Sequence, residues 1–121
     1  MAHEVLAREF LLAWNAHDAA AAVQIMTEDC LFEPSVGPYP WGHRFHGRSE
    51  VETWALETFF EIPDLCWDPI RSLFGEDHIV FEFRVTGTPR GGAPFDLHAC
   101  DILTLRGGMI AAKRAYRKAP P

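Results

Sequence analysis

Two adjacent glycines near the C-terminus, Gly107 and Gly108, separate two runs of residues that are typical of β-strands. A two-residue turn between antiparallel strands requires positive φ angles, which glycine adopts without steric cost. The glycine pair therefore predicts a tight hairpin in which Arg106 lies opposite Met109. One face of this hairpin is mostly apolar, so we expect it to pack against helices from elsewhere in the chain.

The remainder of the chain is predicted to form helices followed by strands. Apolar residues recur with helical spacing from about Ala2 to Asn15, and Asp18 is a suitable N-cap for a second helix. A third helix is predicted from near Ser49 to Glu61. The predicted strands occupy residues 30–33, 65–74, 78–88, 95–105 and 109–118. This order indicates an α+β fold, with three helices packed on a mixed or antiparallel sheet of four main strands plus short strands.

Composition indicates one compact domain over residues 1–121. Hydrophobic residues make up 48% of the chain, well above the content of disordered proteins. The net charge of -6 argues against nucleic acid or a membrane surface as a partner, because both attract basic proteins. The cysteines Cys30, Cys66 and Cys100 lack the spacing of a zinc site or a disulfide framework, which predicts free thiols in a reducing cytoplasm.

Asp101 lies in the middle of an apolar run of the predicted hairpin. Continuing the register from the glycines places Asp101 opposite Arg114, and alternation puts both on the face that meets the helices, together with Leu103 and Tyr116. A carboxyl group there either stays protonated, because desolvation raises its pKa, or is kept ionised by a cation such as Arg114. Two interpretations remain open at this point: a structural cross-strand ion pair, or a carboxyl group that lines a pocket.

Six short motifs are spread over nearly the whole chain: FLLAWNAHD, LFEP, the G-R-x-x-V entry to a helix, IPDL, VTGT and CDILTLRGGMI. In this order they resemble SnoaL-like proteins of the NTF2-like superfamily, which also contains polyketide cyclases, ketosteroid isomerases and scytalone dehydratases. The resemblance implies a curved sheet that three helices wrap into a cone. It also implies an apolar pocket at the mouth of the cone and a homodimer formed through the outer sheet face.

The resemblance implies roles for individual residues as well. Asp101 falls where SnoaL-like cyclases have an acid/base aspartate and where ketosteroid isomerases keep a protonated aspartic acid. Glu33, which precedes Pro34, falls near the general base of the isomerases. Phe10 falls near their oxyanion-hole tyrosine, which is a departure because phenylalanine cannot donate a hydrogen bond. Other positions that often line the family's pocket are occupied by Trp14, Trp41 and Phe83.

Further candidates come from the residues around the expected pocket. Glu33 and Asp101 could transfer protons if one carboxyl group is neutral and the other ionised. Alternatively, Glu33 is a solvated residue at the end of a strand. His43 and His46 lie in a loop rich in glycine and proline, where they would either relay protons or form part of the surface. His98 is expected to face away from Asp101.

These observations predict a protein that binds an apolar small molecule and performs acid/base chemistry without a metal or other cofactor. The expected reaction is an isomerisation, an aldol cyclisation or a dehydration, with Asp101, Glu33 and Arg114 as the catalytic residues. The expected substrate-binding residues are Phe10, Trp14, Trp41, His46, Phe83 and Tyr116. The alternatives are a non-catalytic module that binds a small molecule or a peptide, a dimerising domain with a vestigial pocket, and an epoxide hydrolase that pairs carboxylates with an arginine.

Overall fold

The computed structural model describes residues 2–120, which form one mixed sheet with helices packed against its inner face. The elements in chain order are α1 (Ala2–Asn15), α2 (Ala19–Gln24), β1 (Met26–Glu33), β2 (Phe45–His46), α3 (Gly47–Glu61), β3 (Cys66–Phe74), β4 (His78–Gly87), β5 (Phe95–Arg106) and β6 (Met109–Arg117). The predicted α+β fold is therefore confirmed, including its three helices and its four main strands.

Side chains determine where the helices begin and which of their faces are buried. The carboxylate of Asp18 accepts a hydrogen bond from the Ala21 amide at 3.0 Å, which caps α2 as predicted. α3 begins at Gly47, two residues before the predicted start. Each of the longer helices buries a stripe with four-residue spacing, which is the face that meets the sheet. The stripes consist of Leu6, Phe10 and Trp14 on α1 and of Val51, Ala55 and Phe59 on α3.

The sheet has the strand order β2-β1-β6-β5-β4-β3. β1 runs parallel to β6, and the other neighbouring strands are antiparallel. The first strand starts at Met26, four residues before the predicted start. The parallel pairing sets Phe32 beside Lys113 and Glu33 beside Arg114. Residues from the two halves of the chain therefore meet in the middle of the sheet.

The glycine pair turns the last hairpin as predicted. Gly107 and Gly108 have φ angles of 59° and 76°, in the left-handed region that a two-residue hairpin turn requires. Arg106 pairs with Met109. The first step of the predicted register is therefore confirmed.

Beyond the turn the register shifts by one residue. Leu105 pairs with Ile110, but Thr104 pairs with Ala112, so Ala111 is an extra residue on β6. Such a β-bulge turns every following side chain of its strand to the opposite face. The predicted pairing of Asp101 with Arg114 is wrong, because Asp101 lies opposite Ala115.

The bulge exchanges two basic residues between the faces of the sheet. Lys113, which the simple register assigns to the outer face, lies opposite Leu103 and is only 6% exposed. Arg114 and Tyr116 point to the outer side, and Tyr116 is 55% exposed. The placement of Asp101 itself on the inner face, at 2% exposure, agrees with the prediction.

The core lies between the inner sheet face and the helices. Its largest fully buried side chains are Phe32, Phe81, Met26, Ile79, Leu103, Ile110, Val51 and Cys30. Burial of an aliphatic or aromatic side chain of this kind contributes about 1.5–3 kcal/mol of stability. Among residues 2–120, no helix combines the length and the apolar character needed to cross a bilayer.

Candidate active site

A cavity of about 140 Å³ lies between the second half of α3 and the inner face of the sheet. Trp54 and Thr58 line it from one face of α3, and Ile62, the residue that follows the helix, continues this side of the wall. The sheet contributes apolar side chains, with Tyr116 at the rim. The principal ones are Phe32, Trp67, Phe83, Val85, Phe95 and Ala115. The wall is therefore mostly apolar and aromatic.

Trp67 is held in this wall by the end of α1. The Asn15 side chain accepts a hydrogen bond from the Trp67 amide at 2.8 Å and donates one to the Trp67 carbonyl at 2.9 Å. The Trp67 ring also meets the Trp14 ring edge to face, with centroids 5.8 Å apart. These contacts fix the aromatic side of the cavity from two directions.

Asp101 and Lys113, here called the inner pair, contribute the buried charged groups of the cavity wall. Lys113 Nζ lies 3.4 Å from Asp101 Oδ2, and both side chains are less than a tenth exposed. Asp101 comes from β5 and Lys113 from β6, one step apart on the same inner face. The pair is therefore positioned by two rigid, hydrogen-bonded strands.

Burial shifts both groups of the inner pair towards their neutral forms. Desolvation raises the pKa of Asp101, and the attraction of Lys113 only partly opposes this shift. Desolvation likewise lowers the pKa of Lys113, and Asp101 opposes it. The physical cause is the same for both groups, because a low-dielectric surrounding disfavours any charged form. The cavity wall thus carries a carboxyl group and an amine side by side, and burial disfavours the charged form of each.

Aromatic rings surround the amine of the inner pair. Lys113 Nζ lies 4.2 Å from the centroid of the Phe32 ring and 5.1 Å from that of Trp14. Both distances are within the range of cation–π attraction. The ring faces offset part of the cost of desolvating the ammonium group, although they cannot accept its protons as water would.

Glu33 does not join this site. Alternation along β1 turns Phe32 inwards and Glu33 outwards. Glu33 Oε2 accepts a hydrogen bond from Arg44 Nε at 2.7 Å, and its Oε1 lies 3.6 Å from Arg114 Nε. We call Glu33, Arg44 and Arg114 the outer cluster. The predicted carboxylate pair of Glu33 and Asp101 is not formed, because the two groups lie on opposite faces of the sheet.

Trp41 belongs to the outer side as well. It stacks on Tyr39, and the Arg44 guanidinium lies 4.3 Å from its ring centroid. Trp41 lines a groove with Glu33, whereas it does not line the cavity of the inner pair. Tyr116 lines both spaces, which agrees with its position at the rim.

The remaining predicted residues divide between core and surface. Phe10 is buried and stacks on Phe81 at 5.4 Å, without lining the cavity. His46 is exposed at the start of α3, where its backbone amide donates to Glu50 Oε1. Phe83 lines the cavity as expected, and Trp14 reaches the site through its contact with Lys113.

The residue that the sequence-based reasoning missed is Lys113. Its sequence context, Ala111-Ala112-Lys113-Arg114, offers two adjacent basic residues, and only the bulge decides which of them faces inwards. Trp54 and Trp67 were expected on a helix and a strand but not as lining residues.

Among residues 2–120, no three His, Cys, Asp or Glu side chains converge as a metal site would require. The chemistry available from the inner pair is proton transfer and nucleophilic attack by an amine.

A sequence profile of the SnoaL-like domain family matches residues 7–113 of the chain. The match runs from α1 into β6 and ends at the lysine of the inner pair. No curated protein sequence matches the chain at a significant level.

Solved structures with the same fold share little sequence with this chain. An NTF2-like protein of unknown function from Burkholderia pseudomallei has a TM-score of 0.86 at 18% identity, over 98% of this chain and 92% of that one. A protein with a ketosteroid isomerase-like fold from Catenulispora acidiphila, solved in complex with trimethylamine, has a TM-score of 0.81 at 20% identity, over 92% and 83%. A candidate polyketide cyclase from Xanthomonas campestris has a TM-score of 0.82 at 18% identity, over 95% and 89%. The likeness confirms the NTF2-like fold, and fold alone does not fix activity.

Proposed function

The chain belongs to the SnoaL-like domain family, and on this basis we propose that it is a cofactor-independent enzyme that transfers protons on a small carbonyl compound, with Asp101 as its acid–base group. The observation that carries the proposal is the inner pair, which is buried at the wall of an apolar cavity. Isomerisation, aldol cyclisation and dehydration can each begin with enolisation of a ketone, which requires a base for the α-proton and a donor for the oxygen.

The inner pair offers both groups within one site. Asp101 can accept the α-proton, and its raised pKa brings it closer to the operating pH, where a general base is most effective. Lys113 Nζ, 3.4 Å away, can donate to the enolate oxygen. Arg114 does not serve this purpose, since it lies with Glu33 on the outer face.

The size of the cavity limits the substrate. Its volume is about 140 Å³, close to the roughly 150 Å³ of an apolar cavity that admits benzene. The aromatic wall suits a ligand without charge, because charged groups would lose their hydration there. We therefore propose a neutral carbonyl compound with one ring or a short chain.

The test of this proposal is α-proton exchange. A panel of one-ring ketones, beginning with cyclohexanone, is incubated with the protein in D2O, and deuterium incorporation is followed by NMR. We expect Asp101→Asn to slow the exchange by about 10²–10⁴-fold, the usual contribution of a general base. Asp96→Asn is the matched control, since Asp96 lies on the same strand but is exposed and paired with Arg84.

A second function, binding without chemistry, is favoured by the continuous aromatic wall of the cavity. Trp54, Trp67 and Phe83 would hold a neutral apolar molecule even if the inner pair were inert. Under this alternative, the ketones would bind with unchanged affinity in Asp101→Asn, and neither protein would exchange α-protons. The exchange experiment therefore separates the two functions.

We also propose a homodimer formed through the outer sheet face and a cytoplasmic location. The first is supported by Leu73 of β3, an exposed apolar side chain that lies opposite Val80 on the outer face. The second is supported by the three cysteines, which are all free thiols. Sedimentation equilibrium, with Leu73→Glu as the interface variant, tests the dimer.

A further inference from the structure

We infer that Lys113 is a nucleophile that forms a covalent imine with a small aldehyde or ketone bound in the cavity, and that Asp101 supplies the proton that this step needs. The inference rests on the carbonyl class proposed above, and it replaces hydrogen-bond donation by Lys113 with a covalent intermediate on the same nitrogen. Lys113 would then take part in the reaction as a nucleophile, in addition to being the ion-pair partner of Asp101.

The placement of the amine supports this role. Lys113 lines the cavity, and its side chain is 7% exposed. Within residues 2–120, Asp101 is the one carboxylate within ion-pair distance of Nζ. Nζ also lies 4.2 Å from the centroid of the Phe32 ring. A carbonyl carbon in the cavity would therefore meet an amine that has few competing partners.

The surroundings also favour the reactive form of the amine. An ammonium group has no lone pair, so a lysine can attack a carbonyl only after it loses a proton. Burial among apolar groups lowers the pKa of Lys113, and desolvation in a hydrophobic pocket is an established way to activate a lysine. The proton can pass to Asp101, whose own pKa is raised.

The covalent step is balanced within the pair and its ligand. The Nζ lone pair forms a bond to the carbonyl carbon, and the carbonyl oxygen takes a proton from the Asp101 carboxyl group. In the resulting carbinolamine, Nζ first returns a proton to the Asp101 carboxylate, and Asp101 then protonates the hydroxyl group, which leaves as water. As the C=N bond forms, Nζ releases its second proton to the Asp101 carboxylate. The net change is one carbonyl compound and one amine converted to an imine and water.

A purely structural role explains the inner pair less well. Buried ion pairs seldom stabilise a protein relative to apolar residues of similar volume, since desolvation of both charges offsets their attraction. Leucine and methionine would fill these positions at lower cost. A carboxyl group and an amine on the wall of a cavity are, by contrast, what imine formation requires.

Reductive trapping tests the inference. The full chain is incubated with benzaldehyde and sodium cyanoborohydride, and the benzylated residue is identified by peptide mass spectrometry. Benzaldehyde has no α-proton, so trapping does not depend on the proposed proton transfer. The sequence has two lysines, Lys113 and the exposed Lys118, so Lys118 is an internal reference for ordinary amine reactivity.

We expect Lys113 to be benzylated at least about tenfold faster than Lys118, and Asp101→Asn to slow this labelling by about 10²-fold through loss of the proton donor. Lys113→Arg, which keeps the charge but cannot form the imine, would remove the rapid labelling, whereas Lys118→Arg would not. Equal or slower labelling of Lys113 in the wild-type protein would overturn the inference. Ketone exchange without trapping would refute the imine alone, and trapping without exchange would refute the proposed proton transfer alone.

Discussion

Two acids on opposite faces of one sheet, Asp101 and Glu33, show how surroundings separate similar side chains. Both are less than a tenth exposed and both have a basic partner. The partner of Asp101 is a buried lysine, whereas Glu33 faces Arg44 and Arg114, whose side chains are 47% and 37% exposed. The inner acid therefore interacts in a low-dielectric surrounding, and the outer acid interacts with cations that remain in contact with water.

The difference has a consequence for chemistry. An arginine stays protonated at any working pH, so the outer cluster can hold a charge but cannot exchange a proton among its members. A buried lysine beside a buried aspartate can exchange a proton with it, because both groups titrate. The inner pair is therefore suited to acid/base work, and the outer cluster to fixing the loop that carries Arg44 to the end of β1.

The largest effect is expected from breaking the inner pair on one side. Asp101→Leu leaves the Lys113 amine buried without its carboxylate, which should lower the free energy of unfolding by about 3–5 kcal/mol. Chemical denaturation measures this change. Asp96→Leu on the same strand is the control and should cost within about 0.5 kcal/mol, since Asp96 is exposed.

Removing both members should reverse most of that loss. In Asp101→Leu/Lys113→Met neither a charge nor an unpaired amine stays buried, so we expect stability within about 1 kcal/mol of the wild type or above it. A double variant as unstable as Asp101→Leu would show that the inner pair is needed for folding rather than for chemistry.

The pH dependence of stability gives a further contrast between wild type and this double variant. The pKa of Asp101 is raised in the folded state. The stability that this group contributes is therefore fully present below its unfolded-state pKa of about 3.9, and it is lost as the pH rises through its folded-state pKa. The pKa of Lys113 is lowered in the folded state. The stability that this group contributes is therefore regained as the pH rises towards its unfolded-state pKa of about 10.4. The free energy of unfolding of the wild type, minus that of the double variant, should therefore be lowest between these two pH limits. Chemical denaturation at a series of pH values measures this difference. A difference that does not change with pH would contradict the pKa shifts of Asp101 and Lys113.

The hairpin shows how far the sequence alone leads. The glycine pair predicts the turn, and alternation along β5 correctly places Asp101 inside. The partner of Asp101 was not predictable, because two consecutive alanines give no sign that one of them forms a bulge. The sequence also left the position of Glu33 relative to Asp101 open, since the parallel pairing of β1 with β6 joins residues some eighty positions apart. Local patterns thus fix strands and faces, whereas a single inserted residue and a long-range contact decide which charges meet.

The smallest stability effect is expected in the outer cluster. Glu33→Gln removes the charge that Arg44 and Arg114 face, and should cost about 1 kcal/mol or less because both cations are substantially exposed. High salt should shrink the difference further, since the Debye length falls to about 3 Å at 1 M. A loss equal to that of Asp101→Leu, or one that does not respond to salt, would show that the two faces are not energetically distinct.

The most direct test of the account is the rate of cyclohexanone α-deuteration by wild type, Asp101→Asn and Glu33→Gln at one pH. A catalytic centre on the inner face predicts a loss of at least about 10²-fold in Asp101→Asn and a far smaller change in Glu33→Gln. Exchange that survives in Asp101→Asn but disappears in Glu33→Gln would place the chemistry on the outer side of the sheet and contradict the account.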